Sequence, residues 1–286
     1  MRRQVQIWGS AFVLAALTIA VGLGGGTAAA KDHGGRVVVS PANMQGWSCV
    51  PPAADTRPGG QAMFIVDPTA PSGRGALQLT TDLSVTAKVQ CAHATNTLLA
   101  SITQLSYWTK QNPPTAPGIG DPAYQLATCL NGGTTSATCG FTTLVFEPYQ
   151  NPTQGPVLPS VWQRWDVAAG LFWSTRTVTC SNGTVVGTPG GPATYTLAQI
   201  NTLCPQALVF QFLVNVGSNN PGYNVETDLF NFNGTVYDFE PVGCGKDNKG
   251  DDSDTSKGKD HCGKGHDDGT DGSDNGNGDN GNNGND

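Results

Sequence analysis

The heptapeptide VWQRWDV at residues 161–167 places an indole, a guanidinium and a carboxylate at alternate positions. Successive side chains of an extended chain point to opposite faces, so Trp162, Arg164 and Asp166 share one face, and Val161, Gln163, Trp165 and Val167 share the other. The second set reads as core. The first offers a flat aromatic surface beside planar polar groups, a combination that stacks on sugar C–H faces and meets hydroxyls. Gln211 and Asn215 in LVFQFLVNV, and Glu147 in FEPYQN, are the candidates to complete such a binding surface. A competing reading has Trp162 packed under a loop, with Arg164 and Asp166 forming a surface ion pair of little energetic worth.

Catalysis has fewer footholds. His93 is the sole histidine between residues 46 and 244, and no serine stands in a G-x-S-x-G elbow. In CAHATN, His93 reads as a loop or strand-end residue, and no catalytic residue is assigned. Glycan hydrolysis would need two carboxylates flanking the scissile bond. Glu147, Glu226 and Glu240 are the only glutamates, with Asp166 and Asp228 also in strand-like segments, and none forms a compact E-x-D-x-x-E motif. An extracellular polysaccharide-degrading enzyme is therefore the alternative reading, alongside a structural surface or matrix protein with no small ligand.

Short strands punctuated by Gly, Pro and Asn must position these groups. Eleven are expected, at 62–66, 75–81, 86–91, 105–110, 123–130, 141–147, 161–167, 171–179, 208–216, 223–232 and 235–239. That number of strands with polar connections predicts an all-β fold of two packed sheets. In the segment 208–216, alternation assigns Leu208, Phe210, Phe212, Val214 and Val216 to the core and Val209, Gln211, Leu213 and Asn215 to the opposite face. Trp108 and Trp173, in strands dense with apolar neighbours, are expected in the core, and Trp47 is expected to cover a nearby disulfide. Two helical turns are expected after the N-cap candidates Thr97 and Thr196.

Residues 1–30 carry a basic head at Arg2 and Arg3, an apolar run shorter than the roughly 20 residues of a membrane span, and a small-residue site at Ala28 to Ala30. They read as a signal peptide, and the mature chain as secreted, extracellular and without an integral membrane segment. A leader is expected over 31–45, a β-sandwich domain over 46–244, and a disordered acidic tail over 245–286, which has no large apolar residue to bury. Of the net charge of −7, residues 31–244 carry −3 and the tail −6. That balance argues against nucleic acid as a partner, which requires a basic stripe.

Eight cysteines in an exported chain favour disulfides. Cys129 and Cys139 flank a Gly-rich hairpin loop, and their bond would close about 11 residues, worth about 3 kcal/mol. Cys180 with Cys204 comes next, and Cys49 with Cys91 and Cys244 with Cys262 follow by elimination. The alternative leaves some of them free.

The runs GQAMFIVDPTAPSGRGALQLTT (60–81), LSYWTK (105–110) and NVETDLFNFNGTVYDFE (224–240) resemble the galactose-binding-like jelly roll of extracellular carbohydrate-binding modules. The resemblance implies a jelly-roll sandwich, polysaccharide or cell-surface glycan as partner, and a structural calcium ion with Asp228 among its ligands. The chain thus reads as a secreted, non-catalytic β-sandwich that binds glycan or associates with the cell surface.

Overall fold

The computed structural model describes residues 35–113, 120–133 and 138–241. The expected signal peptide, the tail and the Cys244–Cys262 pair lie outside them. The described strands are β1 (Arg36–Val39), β2 (Trp47–Ser48), β3 (Gly60–Val66), β4 (Gly75–Thr81), β5 (Val89–Leu98), β6 (Leu105–Gln111), β7 (Ala123–Cys129), β8 (Phe141–Phe146), β9 (Gln163–Asp166), β10 (Trp173–Ser174), β11 (Val178–Thr179), β12 (Val185–Val186), β13 (Leu208–Val216), β14 (Asn224–Phe232) and β15 (Thr235–Phe239). One helix, α1 (Leu197–Leu203), precedes β13.

Two main sheets form, as the number of short strands predicts. The seven-stranded sheet is organised around β14, whose first half pairs with β4 and whose end pairs with β15. The other edge of β14 pairs with β6, which carries β9 outside it. Strand β3 flanks β4, and β1 runs parallel to β15. The six-stranded sheet has the order β10-β8-β7-β13-β5-β2, and β11 and β12 make a separate ribbon.

The inward faces meet in one apolar core. Tyr107 of the first sheet meets Tyr124 of the second edge-on at 5.5 Å, and Tyr124 stacks on Phe230 at 4.1 Å. Trp47 is a centre of this core rather than only a cover for a disulfide, making edge contacts with Phe212, Phe230, Tyr237 and Phe239. His93 stacks on Phe212, and its ring nitrogens face the Ala94 and Gln45 carbonyls at 2.7 and 3.0 Å, which explains its presence structurally. Three expected disulfides are present: Cys49–Cys91, Cys129–Cys139 and Cys180–Cys204.

Thr196 caps α1 as its sequence position predicts. Its hydroxyl accepts the Gln199 N–H at 3.1 Å, and the Gln199 carboxamide oxygen accepts the Thr196 N–H at 2.8 Å, a reciprocal box. Thr196→Ala should lower stability by about 1 kcal/mol, read as a shift in the denaturation midpoint. Thr97 caps nothing. It belongs to β5, and the turn Leu99–Ser101 that follows is a 3-10 turn without a side-chain cap.

Two expectations change. The sandwich begins at β1, inside the stretch 31–45 read as a leader, because β1 pairs with β15 and brings Val39 into the core with Val37 packed against it. In β13 a bulge between Val209 and Gln211 adds one residue and inverts the parity upstream. Phe212, Val214 and Val216 face the core as alternation requires, but so does Val209. Phe210 instead packs outside the sheet in a small cluster with Ala54, Ala92, Ala127, Phe141 and Leu213.

Candidate functional site

Beyond that outer cluster, the same face of the six-stranded sheet opens into a cleft of 410 Å³. Gln125 and Asn215 lie on its floor and begin a ladder of carboxamides that runs on across three neighbouring strands to Gln90, beside the cleft. Gln125 of β7 donates to Asn215 Oδ1 of β13 at 3.1 Å, and Asn215 donates to Gln90 Oε1 of β5 at 3.3 Å. These side chains emerge together because β13 lies between β7 and β5, with Asn215 directly across from Gln90.

One wall is made by Glu147, immediately after β8, and Trp173 of β10, both lining the cleft. Glu147 Oε2 accepts the Trp173 indole N–H at 2.8 Å and the Gln150 amide at 2.5 Å. Gln150 Oε1 in turn accepts the Ala193 N–H at 2.7 Å. The indole is therefore held in place before any ligand arrives. Tyr149, well exposed, and Tyr223 add two further aromatic groups to the lining. Burial, reinforced by Tyr149, Glu147 and Asp121 nearby, pushes the Tyr223 phenol up to about 12, so it remains a neutral hydrogen-bonding group at ordinary pH.

Asp121 closes the back of the cleft. It is only 9% exposed, and burial raises its carboxyl to about 7. Its Oδ2 accepts the Thr109 hydroxyl at 2.7 Å, while Oδ1 has no partner. Thr109 Oγ1 also accepts the Trp165 indole N–H at 2.7 Å, which ties the cleft to the core behind it.

Of the residues singled out from sequence, Glu147 and Asn215 line this cleft and the others do not. Trp162 lies on the outer face of the other sheet, where its Nε1 donates to Asp67 Oδ2 at 2.9 Å and Lys110 Nζ sits 5.3 Å from the ring. Arg164 and Asp166 share that face but are exposed, and among the described residues neither joins an ion pair. Gln211 is spent on the Ala53 carbonyl at 3.2 Å. Trp165 is fully buried, as its alternation predicts. Trp108 and Trp173, expected in the core, are both only partly buried.

Asp228 sits at the bulge where β14 changes partner from β4 to β15, next to Leu229 at φ +46°. Its Oδ1 accepts the Phe239 N–H at 3.0 Å, and Oδ2 has no partner. Burial, and then the charge of Asp238, raise its carboxyl well above the usual range. The cation facing Asp238 is Arg36, at 2.7 Å. Among the described residues no group of three or more His, Cys, Asp or Glu is arranged to hold a metal ion.

Sequence reasoning missed Gln125, Asp121, Tyr149, Trp173 and Tyr223. A signal existed for one of them: Gln125 is the polar residue in AYQLATC, on the face opposite Tyr124 and Leu126.

No protein-family model matches the chain, and no curated protein does. Among solved structures, a family 11 carbohydrate-binding module from Clostridium thermocellum, in complex with a beta-1,3-1,4-mixed-linked tetrasaccharide, is similar at a TM-score of 0.37 and 8% identity, over 68% of this chain and 91% of that one. The family 11 module of the cellulosomal cellulase Lic26A-Cel5E of Clostridium thermocellum gives 0.36 and 9%, over 68% and 89%. An arabinose-bound α-L-arabinofuranosidase, MgGH51, gives 0.35 and 9%, over 69% of this chain and 26% of that one. At TM-scores of 0.35–0.37 these likenesses do not bear on the cleft, and what it does has to be argued from the cleft itself.

Proposed function

We propose that the cleft of the six-stranded sheet binds a glycan chain and that the protein works outside the cell as a binding module. The observation that carries this reading is the carboxamide ladder of Gln125, Asn215 and Gln90 beside an indole fixed by Glu147. Amides and carboxylates supply the paired donors and acceptors that sugar hydroxyls need, and pre-positioned aromatics supply a stacking surface at little entropic cost. Three disulfides and the N-terminal segment 1–30 support an exported product. N-terminal sequencing of the secreted chain should then begin at Lys31.

The test is a glycan array followed by calorimetry on the best polysaccharide. Trp173→Ala should weaken binding by about 1–3 kcal/mol, as truncation of an anchoring aromatic does, and Tyr149→Ala by less, with the fold intact. Trp162→Ala should leave affinity unchanged. Unaltered affinity in Trp173→Ala, or loss of affinity in Trp162→Ala, would move the site away from this cleft.

Asp121 favours a second reading. A carboxyl that titrates near neutrality in the same cleft as Glu147 is the pairing of proton donor and carboxylate that glycoside hydrolysis uses. Release of reducing ends from the bound polysaccharide, abolished by Glu147→Gln, would replace binding with hydrolysis as the function.

A further inference from the structure

A second group of ionisable side chains lies on the outer face of the seven-stranded sheet, independent of the cleft. Lys110 of β6 stands directly across from Glu226 of β14, and Asp67, in the loop after β3, closes over both. The three residues are 9%, 3% and 7% exposed. Lys110 Nζ donates to Asp67 Oδ2 and lies 2.9 Å from Glu226 Oε2. Trp162 roofs the group, with its ring 5.3 Å from Nζ and its N–H on Asp67 Oδ2. Thr69 donates its backbone N–H and hydroxyl to Asp67 Oδ1 at 2.8 and 2.7 Å.

A simple ion pair explains too little of this. One carboxylate neutralises one ammonium, and a second carboxylate enclosed with them would be an uncompensated buried charge. Burial, with the adjoining Asp67 carboxyl, raises Glu226 above its ordinary value, against the bonds from Lys110 and Asn112, and favours its protonated form. Asp67 is the reverse: burial opposes its ionisation, but Lys110, Thr69 and Trp162 outweigh that and hold it well below the usual range. The result is an amine, a carboxyl carbon ringed by hydrogen-bond donors, and a neighbouring acid, all sheltered from water.

We propose that Lys110 and Asp67 condense into an isopeptide bond, with Glu226 as the proton carrier that promotes it. The ammonium passes one proton to the Asp67 carboxylate, leaving a neutral amine and a carboxylic acid. Nζ then attacks Cγ, forming the C–N bond; the backbone N–H and hydroxyl of Thr69 hold the negative charge that develops on Oδ1, and the protonated Oδ2, beneath the Trp162 N–H, is the departing oxygen. Nζ gives a second proton to Glu226 as Glu226 gives its own to the departing oxygen. One water leaves, the ammonium and carboxylate have become an amide, and Glu226 ends as it began. No oxidant, reductant or metal is required. The fixed geometry supplies the high effective concentration that drives such a step. The bond would tie the β3 loop to β6 across β4 and β14.

Intact mass spectrometry of the secreted full-length protein is the test. The expected mass is lower by one water than that of the disulfide-bonded chain, and digestion after reduction should yield a branched peptide joining Lys110 to Asp67. Lys110→Arg and Glu226→Gln should retain the water. Should Glu226→Gln fail to fold, Asp67→Asn serves instead, because it must lose ammonia rather than water in the same linkage. A folded wild-type protein of full mass, or a dehydration located elsewhere, would overturn the proposal. Neither result bears on glycan binding, which is read from the other sheet.

Discussion

Trp165→Ala is expected to destabilise the sandwich by about 3–5 kcal/mol, the range for truncating a large, fully buried aromatic. Trp165 is wholly enclosed, lies across from Tyr107 on the neighbouring strand, and donates its indole N–H to Thr109. Alanine would leave a cavity between the sheets and remove the donor that orients the Thr109 hydroxyl toward Asp121. Trp165→Phe fills most of the volume and should cost less, about 1–2 kcal/mol, mainly for the lost hydrogen bond. Trp162, three residues earlier and on the opposite face, should cost clearly less than Trp165 when truncated. Urea denaturation of the three variants checks the facing of β9, and a Trp162→Ala loss equal to that of Trp165→Ala would show it inverted.

Asp121→Asn should stabilise the protein in alkaline solution and leave it unchanged in acid. Below about pH 3 the carboxyl is protonated in both the folded and unfolded chain, so burying it carries no ionisation penalty. As pH rises, the unfolded chain loses the proton first, while the folded chain keeps it until about 7. Stability therefore falls across that window and levels off above it. Displacement from 3.8 to about 7 sets an upper limit of about 4 kcal/mol on the effect. Asparagine keeps an acceptor for the Thr109 hydroxyl without the charge. Melting curves at about pH 3 and about pH 8 decide it, and a variant equally stable with wild type at both would show that the buried carboxyl is accommodated by means other than protonation.

Which parts of this were readable beforehand follows from the range of each signal. Alternation in VWQRWDV placed Trp165 inside and Trp162 outside because four consecutive residues of it do pair as a regular strand. The same rule failed for Leu208 and Phe210, since a bulge leaves no mark in composition and a single extra residue reverses every assignment upstream. Trp173 was misplaced because its strand is two residues long, too short for any period to show. Glu147 and Asn215 could be picked out as polar residues at or within strands. Their convergence with Tyr149, Trp173 and Tyr223 depends on strand order in the sheet, and that order is set by contacts distant in sequence. The partners of Trp162 were hidden for the same reason, since Asp67 and Lys110 come from opposite sides of β14.

The parallel pairing of β1 with β15, in register from Arg36 with Val236 to Val39 with Phe239, has a mechanical consequence. Tension applied through the flanking segments would draw the start of β1 and the end of β15 in opposite directions along their common axis. Their ladder is then loaded in shear, with all its hydrogen bonds sharing the force, rather than peeled open one bond at a time. A domain tethered at one end and holding a polymer at the other would resist pulling at that seam, and extension in a force spectrometer should show one high-force event rather than a gradual fraying.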